Sequence, residues 1–193
     1  MQSLSSYLKS RTTEFTAGGT RSKKVLIFDL DDTIINTSAN IKVLKNGREI
    51  KTISNKDFNN YILKPGESFD FTEFNDREIL SKETFTKYWR TLKREYLRGV
   101  HICILTARND CDMIRDFFLQ NGINIKLALI IAVNDPRLGL NGNIHERKAQ
   151  SIQYLHKLGY DTMIFFDDNK ENLEAAKALE KSITDIKIHT IQA

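Results

Sequence analysis

Three aspartates follow a run of apolar residues near the start of the chain. Residues 25–28 read Val-Leu-Ile-Phe, and Asp29, Asp31 and Asp32 come directly after them. An apolar run with β-branched and aromatic members is typical of a strand buried on both faces of a parallel sheet. Side chains alternate along the extended chain that leaves such a strand, so Asp29 and Asp31 can point the same way. One carboxylate could then attack an electrophile, while the other donates a proton to the leaving group and later activates water.

These carboxylates need a counter-charge, because unpaired negative charge is costly to hold at the end of a core strand. Mg²⁺ is the obvious candidate, since it prefers oxygen ligands and could hold the carboxylates together with a substrate phosphate. The alternative is a metal-free acidic turn or a set of helix-capping side chains, because a D-x-D-x-T pattern is short. The predicted buried strand before the pattern favours the metal site.

Further side chains with suitable chemistry follow other predicted core elements. Thr106 follows the second predicted core strand, Lys148 lies in the first turns of a predicted helix, and Asp167 and Asp168 follow a later predicted strand. A threonine can donate to a phosphate oxygen, a lysine can neutralise charge on the phosphoryl group, and an acidic pair can complete a metal site. Singly, each residue has a structural explanation as a helix cap or a surface residue. Together they predict a phosphoryl-transfer site.

The elements that position these residues alternate between strands and helices. Strands are predicted at residues 25–28, 101–105, 127–132, 163–166 and 186–191, and helices at 85–96, 110–120, 145–158 and 169–181. This alternation predicts an α/β fold with a Rossmann-like open parallel sheet and right-handed crossovers. Ligands of such a sheet bind at the carboxyl ends of its strands, which is where the candidate residues lie.

A small insertion is predicted after the first strand, over about residues 36–83. Asn46-Gly47 lies between two runs of alternating character, which predicts a β-hairpin that projects as a flap close to the acidic cluster. Residues 54–84 read as irregular. The aromatic residues in this stretch, Phe69, Phe71 and Phe74, either line a substrate pocket or anchor a long loop by packing, and packing is favoured.

Composition is ordinary for one globular domain of 193 residues, with 40% hydrophobic and 28% charged residues. Cys103 and Cys111 make no disulfide framework, so a reducing, cytoplasmic compartment is the easier interpretation. No stretch approaches the apolar length of a membrane span, and the polar start lacks the apolar core of a signal peptide. We therefore expect no membrane partner, and the sequence leaves the oligomeric state open.

The net charge of +4 is concentrated in residues 1–24, after which basic and acidic residues balance. This predicts a polar basic tail over residues 1–22 and a core over residues 23–193. Within the core, one predicted helix carries a basic stripe at helical spacing, made of Lys87, Arg90, Arg94 and Arg98. Such a stripe is usually a solvated face, and contact with nucleic acid is the alternative.

Four segments resemble, in order, the motifs of the haloacid dehalogenase (HAD) superfamily of aspartate-dependent phosphohydrolases. They are FDLDDT, ILTARND, the single Lys148 and IFFDDNKEN, and the match spans residues 24 to about 190. The resemblance implies that Asp29 is the nucleophile that forms an aspartyl-phosphate. It implies that Asp31 is the general acid/base and also contacts Mg²⁺ through its backbone carbonyl. The remaining implied catalytic residues are Thr106 and Lys148, which would hold the phosphoryl group.

In the last motif, the resemblance implies Asp168 as the direct metal ligand and Asp167 as a ligand acting through water or by orientation. The implied metal site therefore consists of Asp29, Asp31, Asp167 and Asp168. The implied substrate-binding residues are Thr106, Ala107, Arg108 and Lys148, and a further resemblance to the phosphatase half of polynucleotide kinase-phosphatases implies Arg108 as a phosphate clamp. Asn169 and Asn172 are candidates to support the metal site. Asp31 argues against the dehalogenase branch, whose chemistry does not need that acid.

Two other interpretations use the same residue types. A phospho-receiver domain has its acidic pair at the first strand and its acceptor aspartate on a later one, whereas here the D-x-D-x-T pattern comes first and the second acidic pair last. A non-catalytic HAD-like scaffold that only binds phosphate would be expected to lack one of the groups, and none is missing. We therefore predict a Mg²⁺-dependent phosphomonoester hydrolase.

The substrate is less constrained. The insertion is too short for a full helical lid, and a nearly capless site suits a large substrate or a nucleotide covered by the flap. The motifs also resemble the phosphatase half of polynucleotide kinase-phosphatases, but the basic charge that nucleic acid would need is confined to the tail and one helix. A nucleotide or other small phosphomonoester is therefore the favoured substrate, and a polynucleotide 3′-phosphate is the alternative.

Overall fold

The computed structural model describes residues 24–58, 60–124 and 128–193. The predicted basic tail over residues 1–22 lies outside the described residues. The chain divides into two compact units, a smaller one of residues 36–84 and a larger one formed by the residues before and after them.

Strands and helices alternate through most of the described residues. The strands are β1 (Lys24–Phe28), β2 (Ile35–Asn36), β3 (Ile41–Lys45), β4 (Arg48–Ile53), β5 (Glu67–Asp70), β6 (Thr84–Phe85), β7 (His101–Thr106), β8 (Ala128–Ala132), β9 (Thr162–Asp167) and β10 (Lys187–Gln192). The α-helices are α1 (Asn55–Phe58), α2 (Arg77–Lys82), α3 (Lys87–Leu97), α4 (Cys111–Gln120), α5 (Ile144–Lys157) and α6 (Lys170–Ala178). The described helices are too short or too polar to cross a membrane.

The larger unit is built on one parallel sheet with the strand order β10-β9-β1-β7-β8. β1 is the central strand, with Leu26 level with Ile102 of β7 and Ile164 of β9. Residues 25–28 of β1 are all buried, as an unbroken apolar run predicts for a strand covered on both faces. The predicted Rossmann-like open parallel sheet is therefore confirmed.

Apolar side chains from the sheet and two helices form one continuous core in this unit. Alternate residues of the strands, such as Val25 and Ile27 of β1, belong to the same buried cluster as Ile152 and Leu155 of α5 and Leu173 of α6. Burying each large apolar side chain contributes about 1.5–3 kcal/mol. This packing fixes where the strands end, and so fixes the residues that follow them.

Side-chain caps set where the helices begin. Asp110 accepts hydrogen bonds from the backbone amides at the start of α4, and Asn169 does the same for α6. Asn143 and Glu146 form a capping box at the start of α5. Because α5 begins at Ile144, Lys148 lies in its second turn, where the sequence predicted it.

The smaller unit contains an antiparallel sheet in the order β4-β3-β5. Asn46 and Gly47 join β3 to β4 with φ of 51° and 78°, as a two-residue hairpin turn requires. The predicted β-hairpin is confirmed. Residues 54–84 are more regular than predicted, because β5 pairs with β3, Phe69 lies level with Val43, and two short helices flank the strand. The irregular interpretation is wrong, since local periodicity does not reveal such long-range pairing.

The aromatic residues of the smaller unit pack together. The Phe69 ring centroid lies 4.8 Å from that of Phe58 and 5.8 Å from that of Tyr61. Phe69 and Phe74 also cover a small core made of Ile41, Val43 and Ile53. The packing role favoured for Phe69 and Phe74 is confirmed.

The chain enters and leaves the smaller unit through two short strands, β2 and β6, which pair with each other. At this pair the Asn36 Nδ2 donates a hydrogen bond to the Thr84 Oγ1 at 3.0 Å.

Candidate active site

The carboxyl ends of β1, β7 and β9 meet at one edge of the parallel sheet. β7 ends at Thr106 and β9 at Asp167, and Asp29 follows β1 directly. The Asp29 amide donates a hydrogen bond to the Phe166 carbonyl at 2.9 Å, which ties the end of β1 to the end of β9. The side chains that the sequence singled out at these positions are buried.

Lys148 joins two of the carboxylates. Its Nζ lies 2.7 Å from Asp29 Oδ1 and 2.8 Å from Asp167 Oδ2, and it is 2% exposed. Burial of the ammonium group works against its charge, yet the carboxylates of Asp167 and Asp29 raise the pKa of Lys148. Burial raises the pKa of Asp29 well above its ordinary value, while Lys148 works in the opposite direction. The site therefore holds a fixed cation against the predicted nucleophile.

Asp167 is held from the other side by α6. Its Oδ1 accepts hydrogen bonds from Asn172 Nδ2 and from the Asn169 amide, both at 2.9 Å. With Lys148 on its other oxygen, the Asp167 carboxylate is fully buried and its orientation is fixed by three donors. The two asparagines thus hold Asp167 in place, and their support of a metal site stays a prediction.

Three carboxylates could hold one cation. Asp29, Asp167 and Asp168 each offer an oxygen, and these oxygens lie within 4.8 Å of one another. Burial and the neighbouring Asp167 raise the pKa of Asp168 to about 6. Among the described residues, Asp168 receives no side-chain hydrogen bond from another residue, so its oxygens remain available. This all-oxygen donor set fits Mg²⁺, which the resemblance implied.

The Asp31 side chain is engaged elsewhere. Arg108 donates to both of its oxygens, from Nε at 3.0 Å and from Nη2 at 2.7 Å, and the guanidinium is fully buried. The Asp31 carboxylate is therefore not part of the three-carboxylate group. The metal contact implied for Asp31 used its backbone carbonyl and stays a prediction. Sequence reasoning named both residues but did not pair them.

A tight loop connects β1 to the smaller unit and places Asp31. The amides of Ile34 and Ile35 both donate to the Leu30 carbonyl, and Asp32 has a φ of 54° in the left-handed region. The Thr33 hydroxyl is buried and has no hydrogen-bond partner among the described residues. The loop thus turns Asp31 back towards β7, where it meets Arg108.

The residues after β7 complete the site. Thr106 is fully buried, and its hydroxyl accepts a hydrogen bond from the Arg108 amide at 3.1 Å. The Ala107 carbonyl accepts from Asn134 Nδ2 at 2.6 Å, and Asn134 in turn accepts from Arg147. Asn134 was not identified from the sequence, because nothing in the loop after β8 marks one polar residue above its neighbours. The structure therefore brings Asp29, Thr106, Lys148 and the acidic pair to one edge, and leaves their catalytic roles as predictions.

Comparison with known proteins adds little to this geometry. The chain matches no protein-family model and no curated protein. Among solved structures, it is similar to a hydrolase of the haloacid dehalogenase-like family from Streptococcus pneumoniae, with 14% sequence identity and a TM-score of 0.46. The likeness covers 85% of this chain and 82% of that one. At this identity and TM-score it carries no conclusion about activity or substrate.

Proposed function

We propose that this chain is a Mg²⁺-dependent phosphomonoester hydrolase that works through a phosphorylated Asp29. The observation that carries the proposal is the buried Asp29 carboxylate, 2.7 Å from Lys148 Nζ and grouped with Asp167 and Asp168. A carboxylate beside a fixed cation suits attack on phosphorus, because the incoming phosphate oxygens need positive charge and the nucleophile must stay ionised.

The residues present fit a magnesium ion. Asp29 and Asp168 would hold it, while Asp167 is occupied by Lys148, Asn169 and Asn172 and would orient the site. When bound, the ion supplies positive charge to the phosphate oxygens and offsets the clustered carboxylates.

In the first step, an Asp29 oxygen attacks the phosphorus atom and the bond to the ester oxygen breaks. The leaving oxygen takes a proton from Asp31, so that the alcohol departs neutral. Lys148 stays against Asp29 and offers its charge to the phosphoryl group as the new bond forms. The Thr106 hydroxyl, at the end of β7, is the proposed donor to a phosphoryl oxygen.

In the second step, Asp31 accepts a proton from water, and the water oxygen attacks the phosphorus atom. The bond from phosphorus to Asp29 then breaks, inorganic phosphate leaves and the Asp29 carboxylate is restored. Each turnover thus consumes one water molecule and leaves Asp29 ionised and Asp31 protonated, as both were when the first step began.

Arg108 governs when Asp31 can act. A carboxylate whose two oxygens both accept from a guanidinium holds no proton to donate, so Asp31 must first leave the pair and take up a proton from solvent. A phosphate dianion is a competing partner for the guanidinium fork, since it accepts two parallel hydrogen bonds in the same way. Arg108 is therefore proposed to exchange Asp31 for substrate phosphate.

The test is phosphate release from p-nitrophenyl phosphate, nucleoside monophosphates and a 3′-phosphorylated oligonucleotide, with Mg²⁺ and with a chelator. Wild type should release phosphate only with Mg²⁺, and Asp29→Asn should release none. Asp185→Asn makes the same chemical change at an exposed position and is the matched control. Turnover by Asp29→Asn at the wild-type rate would rule out the mechanism.

The metal assignment has a readout that does not depend on turnover. Mg²⁺ should raise the melting temperature of wild type, because a ligand that binds only the folded state stabilises it. Asp168→Asn should weaken this stabilisation by requiring more Mg²⁺ for the same shift. An unchanged Mg²⁺ requirement in the variant would remove Asp168 from the metal site.

A further inference from the structure

The outer face of α3 is a concentrated basic surface. Its exposed members, together with the residue that caps the helix, are Lys87, Arg90, Lys93, Arg94 and Arg98. Since successive helical residues are about 100° apart, these five side chains and the exposed Leu97 fall within an arc of about 140°. We call these five basic residues the α3 basic face.

The opposite side of α3 is turned into the protein. Leu92 is 2% exposed, the Trp89 ring stacks on Phe85 at 4.1 Å, and the Tyr96 hydroxyl donates to the Asn124 carbonyl. The α3 basic face is therefore held rigidly outward by a packed inner side.

Little negative charge offsets this face. Glu95 is the one acidic residue between residues 87 and 98, and its side chain is 15% exposed. It accepts from Arg94 Nε at 2.8 Å and lies 3.5 Å from Arg98 Nη1, while both arginines remain more than half exposed. Lys87, Arg90 and Lys93 have no carboxylate partner among the described residues. The face therefore keeps a strong net positive charge.

The basic face begins beside the candidate active site. The Thr86 amide donates to the Ile34 carbonyl at 3.0 Å, and the Thr86 hydroxyl donates to the Thr33 carbonyl, in the loop that follows Asp31. One residue into the helix, the Tyr88 ring lies 5.4 Å from the Phe166 ring, next to Asp167 in sequence. From this end, α3 runs about 16 Å to the opposite edge of the sheet.

We propose that the α3 basic face binds the phosphate backbone of a nucleic acid strand. Successive phosphates on one strand of a duplex are separated by about 3.4 Å along the helix axis and by more than that along the winding backbone, so a face about 16 Å long meets several of them, though fewer than one for each basic side chain. Three of the five residues are arginines, whose planar guanidinium matches phosphate geometry. The concentrated positive charge and the guanidinium chemistry therefore both match a polyanion.

An anionic membrane surface is the weaker match. Helices that lie on membranes bury a broad apolar face among the lipids. Here Leu97 is the one large apolar residue on the exposed side, and the apolar side of α3 already packs against the protein.

A strand bound along α3 would bring its terminal phosphate to the edge that holds Asp29. This step rests on the proposed function, and it makes a phosphate-ended nucleic acid the substrate class of that site. Binding to the face does not depend on hydrolysis, so the two are tested separately.

Binding is measured by fluorescence anisotropy of a short labelled DNA strand, with a chelator present and over a range of salt concentrations. The triple variant Lys87→Gln, Arg90→Gln, Lys93→Gln changes exposed residues only, and circular dichroism checks its fold. The matched control Lys157→Gln, Lys181→Gln, Lys187→Gln removes the same charge at other exposed positions of the larger unit.

Wild type and the control should bind with the same affinity, and the α3 variant about tenfold or more weakly. The salt slope of log Kobs should become less steep in the α3 variant, by about 0.7 to 0.9 for each phosphate contact that is lost. An equal loss of DNA affinity in the α3 variant and the control would show that DNA is attracted by the overall charge of the protein, and would overturn the proposal. No binding by wild type, or binding to anionic vesicles that the α3 variant alone loses, would also overturn it.

The substrate step has its own readout. If a phosphate-ended nucleic acid is the substrate, the ratio of kcat/KM for a 3′-phosphorylated strand to kcat/KM for p-nitrophenyl phosphate should fall in the α3 variant and not in the control. An unchanged ratio together with lost DNA binding would keep the binding surface and reject the substrate class. Failure of Asp29-dependent turnover with intact DNA binding would reject only the proposed function.

Discussion

Replacement of Lys148 by methionine tests the centre of the site. Methionine has a similar length, so the main change is loss of the ammonium group between Asp29 and Asp167, whose side chains are 6% and 0% exposed. Removing one partner of a buried ion pair costs about 3–5 kcal/mol, because it leaves uncompensated charge in the interior. Two carboxylates lose their partner here, so we expect the free energy of unfolding to fall by about 3–5 kcal/mol at neutral pH without metal.

Magnesium should reduce this loss. Without the lysine charge, the carboxylates of Asp29, Asp167 and Asp168 form a more negative site, and a divalent cation becomes their main counter-charge. Saturating a site at about 100 times its Kd adds about 2.7 kcal/mol to stability. We therefore expect added Mg²⁺ to stabilise Lys148→Met more than it stabilises wild type.

The assay is urea unfolding followed by circular dichroism, in a chelator and in Mg²⁺. Lys157→Met is the control, because it makes the same change at an exposed position of the same helix and should change stability by less than about 0.5 kcal/mol. If Lys148→Met lowers the free energy of unfolding as little as the control does, the buried ion pairs of Lys148 are refuted. Equal stabilisation of variant and wild type by Mg²⁺ would refute the expectation that a cation at this site takes over the role of the lysine charge.

Three further outcomes are expected. Arg108→Met should lower the free energy of unfolding, measured in urea, by about 2–4 kcal/mol, because it leaves the buried Asp31 carboxylate without its two donors. A loss near zero would mean that the pair of Asp31 and Arg108 does not form. Thr33→Val should leave that free energy unchanged or raise it by up to about 1 kcal/mol, since the hydroxyl is buried without a partner among the described residues, and a large loss would reveal one. Burial lowers the pKa of His101, so at acidic pH the unfolded chain binds a proton that the folded chain does not, and the free energy of unfolding falls as the pH drops through about 6.5. His101→Gln should flatten that part of the plot of stability against pH. An identical plot for the variant would exclude His101 as the cause of the fall.

Much of the larger unit could be predicted because its signals are local. The apolar run from Val25 to Phe28 is stable only when it is buried. The side chains that cap α4, α5 and α6 come directly before those helices in the sequence. Once the strands are parallel, residues at their carboxyl ends must share an edge. That geometry, rather than any single motif, is why Asp29, Thr106 and Asp167 could be grouped before the structure was known.

The features that the sequence did not predict depend on contacts between residues far apart in the chain. Asp31 and Arg108 were both identified, but 77 residues separate them, and nothing local shows that the loop after β1 turns one towards the other. The same holds for β5, whose alternation is too short to be recognised without β3 beside it. Asn134 needs the Ala107 carbonyl as a partner, which only the folded chain supplies. The chemical roles assigned to the site stay predictions until turnover is measured.

Because β2 pairs with β6, the residues of the smaller unit could be removed or replaced as one continuous segment. Its first and last residues, Asn36 and Thr84, are hydrogen-bonded neighbours, so the two cut ends of the remaining chain would already lie side by side. A tight turn could replace everything between them with little cost in loop closure. Insertions of other sizes could be accommodated at the same point while β1 and β7 keep their register, so this position can gain or lose whole modules without rebuilding the sheet.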